Sequence, residues 1–377
     1  MLAGVRVVRL ANFVAPRSGG LHTALRELGA GYLAAGHEPV LVVPGPEARE
    51  EDTEQGRVIT VPGPIVPGTG GYRVITATLS LSRLLEALEP DRLEVSDRTT
   101  LRWTGAWARA RGIRSVMVSH ESLAGLLRLF GPRRLSMQRS MQRLSDRLNR
   151  ATAHSFDVVV CTTEWAAAEF RRLGAPNLLR VPLGVDLAWF NPSRYDVRLR
   201  TALAPLGKAL LVHCSRLSAE KRPDRPIATL AELRRRGVPA ALAVVGDGPR
   251  RPSLEAQAAG LPVRFFGHVA DRGLLARLIA TADVAIAPGP VETFGLAALE
   301  ALAGGTPVVV SRESALPEVV GPAGIAVDDS EAAYADAVEQ LLARPKPQRT
   351  RLARRQAERF AWPAAVEGFL RAHGLAP

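Results

Sequence analysis

The feature that most constrains this chain of 377 residues is an alternation of short apolar runs with amphipathic stretches, and it occurs twice. Runs rich in β-branched residues stand at Val5–Leu10, Val40–Val43, Val58–Val61, Leu93–Val95, Val116–Val118 and Val158–Cys161. A second series stands at Leu210–His213, Leu242–Val245, Val263–Phe266, Val284–Ala287, Val308–Val310 and Ile325–Val327. Most are too short for helices and too uniformly apolar for half-exposed strands, so they read as strands buried on both faces. Leu21–Ala35, closed by Gly36, reads as a helix, as do Arg225–Arg236 and Asp271–Ala282. Such alternation requires parallel sheets with right-handed crossovers, and the predicted class is α/β with two Rossmann-like domains. The polar stretch Asn191–Arg200 divides the two series, and Gly45–Gly71 reads as loops around one strand. A last helix near Arg349–His373 is expected to kink at Pro363.

Composition excludes several classes. With 47% hydrophobic and 23% charged residues the chain is globular, and no stretch approaches the ~18 apolar residues of a membrane span. Arginines interrupt the apolar N-terminus, so no signal peptide is read. Cys161 and Cys214 lie far apart in apolar segments, as inert thiols of a reducing cytosol, and two cysteines make neither a disulfide framework nor a cysteine metal site.

The charge is unusual and unevenly spread. Lys+Arg 49 against Asp+Glu 37 gives +12. From Arg98 to Arg150 there are 12 Arg against Glu121 and Asp146, a local +10. That bias points to phosphate-rich partners: nucleic acid, an anionic membrane surface or phosphorylated ligands. Leu135–Arg150 places Arg139, Arg143 and Arg147 at a spacing of four beside Leu135, Met137, Met141, Leu144 and Leu148. This is an amphipathic helix suited to anionic headgroups. A basic nucleic-acid-binding protein rests on charge alone, because no helix-turn-helix, zinc or RNA-recognition pattern accompanies it and aromatics are only 5%. A nicotinamide oxidoreductase is disfavoured, since neither half carries G-x-G-x-x-G after its first strand.

In open α/β sheets ligands bind beyond the carboxyl ends of strands. In the first half Gly19 and Gly20 open a helix there, where backbone N–H groups can approach an anion. In the second half Arg216 and Lys221 follow a strand directly, as two cations able to grip a diphosphate. Gly246-Asp247-Gly248 ends the next strand in a turn that permits close ligand approach. The sharpest pattern is Glu292-Thr293-Phe294-Gly295-Leu296 followed by Glu300. If a helix starts near Thr293, Glu292 sits at its mouth and the N–H groups of Gly295 and Leu296 are placed for phosphate. On one continuous helix the two glutamates would be only ~80° apart and would address one cleft.

Together these segments resemble the retaining glycosyltransferases of family 4, of the GT-B fold, along essentially the whole chain. The resemblance rests on SGGLHTAL, VSHES, PLGVDLAWFNP, HCSRLSAEK, VVGDGP, FFGHV and ETFGLAALEALAGGTPVV, in the family's order, with the E-x7-E and R-x4-K pairs among them. ANFVAPRSGGLHTA, TGGYR, LEVSDRTTLR, VVCTTEWAAAEF and VSRESALPEVV further resemble an actinobacterial branch that moves α-mannose from GDP-mannose to a phosphatidylinositol mannoside lipid. The resemblance implies two Rossmann-like domains facing across a cleft. The expected boundaries are residues 1–190 for the acceptor domain, 191–358 for the nucleotide-sugar domain, and 359–377 for a C-terminal helix packing back on the first.

It also implies the roles of residues. Arg216 and Lys221 would hold the donor diphosphate, Glu292 the sugar hydroxyls and Glu300 the ribose, with Gly19 and Gly20 over the phosphates. Gly246, Asp247, Gly248, Thr293, Phe294, Gly295 and Leu296 would line the donor site, and Phe266, Gly267, His268 and Val269 the base pocket. His120 would contact the sugar near its anomeric carbon, and Tyr72, Arg73, Asp97 and Arg98 would serve the acceptor. No D-x-D occurs, so no metal ion is implied, and cations with a helix dipole would stabilise the departing diphosphate. Front-face attack is the preferred route to retention, because no carboxylate nucleophile is evident. The same donor residues would serve a family member with a soluble acceptor or another nucleotide sugar. The expected location is the cytoplasm, at the inner face of the plasma membrane.

Overall fold

The computed structural model of the chain describes residues 4–14, 19–67, 71–120, 135–205 and 207–375, with residues 135–138 described by their backbone alone. Ser18, Thr69, Gly70, Glu121, Ser122, Arg128, Arg133 and Arg134, and the side chains of Leu135 and Met137, lie outside this set. The chain divides into two units, Met1–Leu183 with Trp362–Pro377, and Gly184–Ala361.

In the first unit β1 (Arg6–Leu10), β2 (Glu38–Gly45), β3 (Arg49–Thr53), β4 (Gly56–Pro62), β5 (Arg92–Val95), β6 (Arg114–Ser119), β7 (Val158–Cys161) and β8 (Leu178–Arg180) form one sheet. Its order is β3-β4-β2-β1-β5-β6-β7-β8, parallel except for the β3–β4 hairpin. The second unit holds β9 (Ala209–Cys214), β10 (Ala240–Val245), β11 (Val263–Gly267), β12 (Val284–Ala287), β13 (Val308–Ser311) and β14 (Gly324–Val327). These are all parallel, in the order β11-β10-β9-β12-β13-β14. In each sheet the order reverses between two adjacent strands, β1 and β5 in the first and β9 and β12 in the second, and loops splay apart at such points.

Three sequence expectations are corrected. Gly45–Gly71 contains two paired strands rather than one, because β3, REEDT, is a charged edge strand with no apolar run to betray it. The unit boundary falls at 183/184 rather than 190/191, and again at 361/362 rather than 358/359. Val185 donates to Phe360 O at 2.9 Å, and the Arg354 guanidinium donates to the carbonyls of Leu187 and Phe190, so residues 184–190 are stitched into the second unit. The polarity of Asn191–Arg200 is helix capping: Asn191 accepts from Ser193 N and Asp196 from Leu199 N. Finally, the kinked helix is two helices, Lys346–Ala357 and Trp362–His373, and Pro363 lies in the first turn of the second, where a missing N–H costs nothing.

The core of the first unit contains charge. Arg9 on β1 and Glu94 on β5 are direct neighbours in register, each 1% exposed. Arg9 Nε donates to Glu94 Oε1 at 2.9 Å, and Tyr32 Oη donates to Oε2 at 2.7 Å. His373, in the last turn of the C-terminal helix, lies 3.2 Å from the same Oε2. Arg9 also donates to Leu25 O at 2.7 Å. Elements from both ends of the chain thereby meet on one carboxylate of β5: the first strand, the helix Gly19–Ala34 after it and the chain's last helix. Removing one member strands the others without water, at a cost of ~3–5 kcal/mol. Glu94→Leu should therefore lower unfolding stability in urea by about that amount, whereas Arg9→Met with Glu94→Leu should recover much of it.

Candidate active site

The second unit builds its site at the reversal between β9 and β12. His213, near the end of β9, is fully buried and neutral: its Nδ1–H donates to Ile286 O on β12 at 2.8 Å, and its Nε2 accepts from Ser215 Oγ at 2.8 Å. Burial holds its imidazole below the usual value. This clamp fixes the start of the loop 215–221 against the neighbouring strand. The GDG turn after β10 lies on the same loop: Leu217 N donates to Asp247 O at 2.9 Å, and Gly246 N donates to Gly267 O at 2.8 Å. Gly246 has φ 127°, and a Cβ there would overlap Ser215 O, so only glycine lets the two loops touch.

Lys221 Nζ donates to Glu292 Oε1 at 2.6 Å, joining the loops that leave β9 and β12. Burial opposes the charge on Lys221, but the Glu292 carboxylate overrides it and raises the ammonium above its usual value. Arg216 Nη2 lies 2.5 Å from Glu220 Oε1. A Cβ on Gly289 would sit 3.3 Å from Glu292 Cγ and 3.4 Å from Glu220 O, so the turn after β12 is packed directly against the Lys221 loop.

The helix expected from Thr293 begins three residues later, at Leu296. Gly295 has φ 78° and cannot be helical, and a Cβ there would collide with Leu316. Glu292 therefore projects from a turn, anchored by Ala315 N donating to its carbonyl at 2.9 Å, while Glu300 alone is helical. Glu300 lies close enough to the end of β9 to act on Cys214, whose thiol is pushed up to about 12 by burial first and by that carboxylate second. The Phe294 side chain is in the core, 4% exposed and packed edge-on against Phe360 at 5.9 Å, so it offers a ligand only its backbone. Gly267 ends β11, His268 is exposed, and Phe266 and Val269 are half-buried beside it.

The first unit has a site of its own at the reversal between β1 and β5. A small open-sided recess is lined by Phe13, Ser96, Asp97, Arg98, Thr99, Val118 and His120. Tyr72 reaches it through Phe13, ring edge to face at 6.3 Å, and Phe13 N donates to Arg73 O. Asp97 is spent on the loop itself, accepting from Asn12 Nδ2, the Thr99 and Leu101 N–H groups and the Thr99 and Thr100 hydroxyls. It shapes the recess instead of presenting a free carboxylate. Arg98, 7% exposed, donates to Asn149 Oδ1 at 2.8 Å and Ser119 Oγ at 2.6 Å. His120 lies 3.3 Å from Ser96 Oγ. Burial draws its imidazole down to about 4; Glu94 opposes this, and Arg9 and Arg98 reinforce it. Gly19 and Gly20 form the exposed first turn of the helix Gly19–Ala34, and a Cβ on Gly19 would meet nothing within 4 Å among the described residues.

Sequence reasoning missed Asn12, Ser96, Ser218 and Glu220. Ser96 and Asn12 carried an available signal: they lie just after β5 and β1, at the carboxyl ends where ligand loops begin, and Asn12 ties those loops together. Fully buried, it also accepts from Ile75 N at 2.8 Å, tying that loop to the Asp97 turn.

Two Rossmann-like units, one with paired cations and glutamates at its strand reversal, can take a phosphorylated ligand there, and comparison with known proteins gives the class, a glycosyltransferase. Residues 208–344 match the family model "Glycosyl transferases group 1" and residues 19–184 match "Glycosyl transferase 4-like domain". The GDP-mannose-dependent alpha-(1-6)-phosphatidylinositol dimannoside mannosyltransferase of Mycobacterium tuberculosis is 49% identical over 97% of this chain and 95% of its own. The GDP-mannose-dependent alpha-(1-6)-phosphatidylinositol monomannoside mannosyltransferase of Mycolicibacterium smegmatis is 31% identical over 89% of each chain. Among solved structures, sucrose-phosphate synthase from Thermosynechococcus elongatus superposes with TM-score 0.77 at 22% identity, over 97% of this chain and 98% of that one. The chain belongs to the group 1 glycosyltransferases and has the two-domain GT-B fold.

The buried neutral histidines make stability depend on pH. An unfolded imidazole takes up its proton near 6.5, whereas folded His120 does so only near 4. Between those values the unfolded chain binds more protons, so stability falls as pH drops. Urea unfolding at pH 7.0, 6.0 and 5.0 should show this decline, and His120→Asn should reduce its slope.

Proposed function

We propose that this chain transfers an α-mannosyl residue from GDP-mannose to a phosphatidylinositol mannoside lipid, with retention of configuration and without a metal ion. The observation that carries the reading is the Lys221–Glu292 pair at the β9/β12 reversal, 2.6 Å apart, with Arg216 on the same loop. It is supported by the 49% identity to a relative whose name states that donor and that lipid class.

The chemistry follows from the charges. Breaking the anomeric C–O bond leaves negative charge on the diphosphate and positive character on the sugar. Arg216, Lys221 and the N–H groups at the start of the helix Leu296–Ala303 stabilise the first, already oriented before the bond breaks. Glu292 binds Lys221 through Oε1, and its second oxygen accepts hydroxyls of the sugar. Glu300 takes the ribose hydroxyls, and residues 246–248 and 266–269 take the remainder of the nucleotide. The acceptor hydroxyl attacks from the face the diphosphate leaves, and its proton passes to the departing phosphate oxygen. Phe13, Tyr72, Arg73 and Arg98 serve the acceptor on a loop shaped by Asp97. Glu292→Ala should lower kcat roughly 100-fold or more in a GDP-mannose assay while the chain stays folded, with only a modest drop in the thermal unfolding midpoint from the unpaired Lys221; near-normal turnover would remove the assignment. GDP should raise that midpoint more than UDP or ADP.

On this reading the acceptor is a lipid of an anionic membrane, and the helix Leu135–Ser155 supports work at such a surface. It turns Ser145, Asn149 and Thr152 into its unit, while Arg139, Arg143, Arg147 and Arg150 are exposed beside Leu144, itself 50% exposed. A helix that buries polar groups and exposes leucine among arginines is arranged for headgroups. Among the described residues no helix is long and apolar enough to cross a membrane. The protein should sediment with phosphatidylinositol-containing vesicles at low salt and be released as salt rises; Leu144→Glu should weaken sedimentation severalfold.

A further inference from the structure

The donor diphosphate, on the reading above, meets a cluster whose charges already cancel. Arg216 and Lys221 are matched by Glu220 and Glu292, at 2.5 and 2.6 Å. Glu292 has a sugar to address. Glu220 has a different arrangement, closed within its own loop. Arg216 Nε donates to Ser218 Oγ at 3.2 Å, Ser218 Oγ donates to Glu220 Oε1 at 2.5 Å, and Arg216 Nη2 donates to that same oxygen at 2.5 Å. The Nε–Nη2 edge of the guanidinium is a fork well matched to a phosphate. Here a serine and a carboxylate of the same loop occupy it. Ser218 is 6% exposed and the Glu220 side chain 14%, so water screens this competition only weakly.

We propose that Glu220 is a counter-anion built into the diphosphate site, competing for Arg216 and weakening the hold on the nucleoside diphosphate product so that it leaves. The inference rests on Arg216 binding the donor diphosphate. A diphosphate must either displace Glu220 from the Nε–Nη2 edge or accept a less complete grip beside a like charge. In both cases the carboxylate raises the free energy of the bound product. The opposite role, in which Glu220 merely aims Arg216 at the ligand, has the opposite sign: loss of the carboxylate would then weaken binding.

Calorimetric titration of the full-length protein with GDP separates these. Glu220→Gln keeps the shape and the hydrogen-bonding oxygen but removes the charge; it should tighten GDP binding about tenfold and steepen its salt dependence. Glu220→Asp, which keeps the charge but withdraws it by one methylene, should fall between and covers the case in which the glutamine variant is poorly folded. Product inhibition by GDP should strengthen in parallel. In an Arg216→Ala background, itself weakened for GDP, the tightening should vanish. Unchanged or weaker GDP binding by Glu220→Gln, or tightening that persists without Arg216, overturns the proposal. Unchanged binding by Arg216→Ala alone instead refutes the diphosphate assignment, and this proposal with it.

Discussion

Parallelism of the strands is the constraint on which the rest depends. When every strand of the C-terminal sheet runs the same way, every loop leaving a strand's carboxyl end emerges on one edge. The order β10-β9-β12-β13 then makes β9 and β12 neighbours although 69 residues separate Cys214 from Val284. Lys221 and Glu292, 71 positions apart, meet because the chain winds outward in both directions from that seam. The His213 bond to Ile286 O holds the two strand ends in register just beneath. The first sheet repeats the plan at β1 and β5, where Asn12 and Asp97 lock two loops into the wall of a recess.

Both units pair charges away from bulk water, but to different depths and to different ends. In the first, Arg9 and Glu94 are spent on architecture, gathering the first strand, the helix after it and the final helix around one carboxylate. In the second, Lys221, Glu292, Arg216 and Glu220 are only partly covered and remain accessible to a ligand. A fully buried pair resists exchange because neither partner has a substitute. A half-buried one exchanges partners when a better-matched anion arrives, which is what binding a diphosphate requires.

Much of the fold was legible because most strands leave a short apolar run, as twelve of the fourteen strands among the described residues do, including β4, β11 and β14, which are only half-buried. The two that escaped show the limit: β3 is charged along its length, and β8 is only three residues. Arg216, Lys221, Glu292 and Glu300 could be singled out because they directly follow strands or lie on the helix after one. Glu220 could not, since an acidic residue beside a lysine resembles surface charge until the fold turns both inward. Asp97 shows the converse, its residue type suggesting a ligand contact while its hydrogen bonds commit it to the loop.

The sequence by itself determined two series of parallel strands, the glycines that let loops close over one another, and the residue types available at each strand exit. These are local properties, set by side-chain size, branching and charge over a few neighbours. Only the tertiary structure decided that Gly295 keeps Glu292 out of the helix that follows, that a buried histidine clamps β9 to β12, and which carboxylate answers which cation. Strand order is a collective outcome of packing, and the pairing of charges follows strand order, so neither is written in any short stretch of the chain.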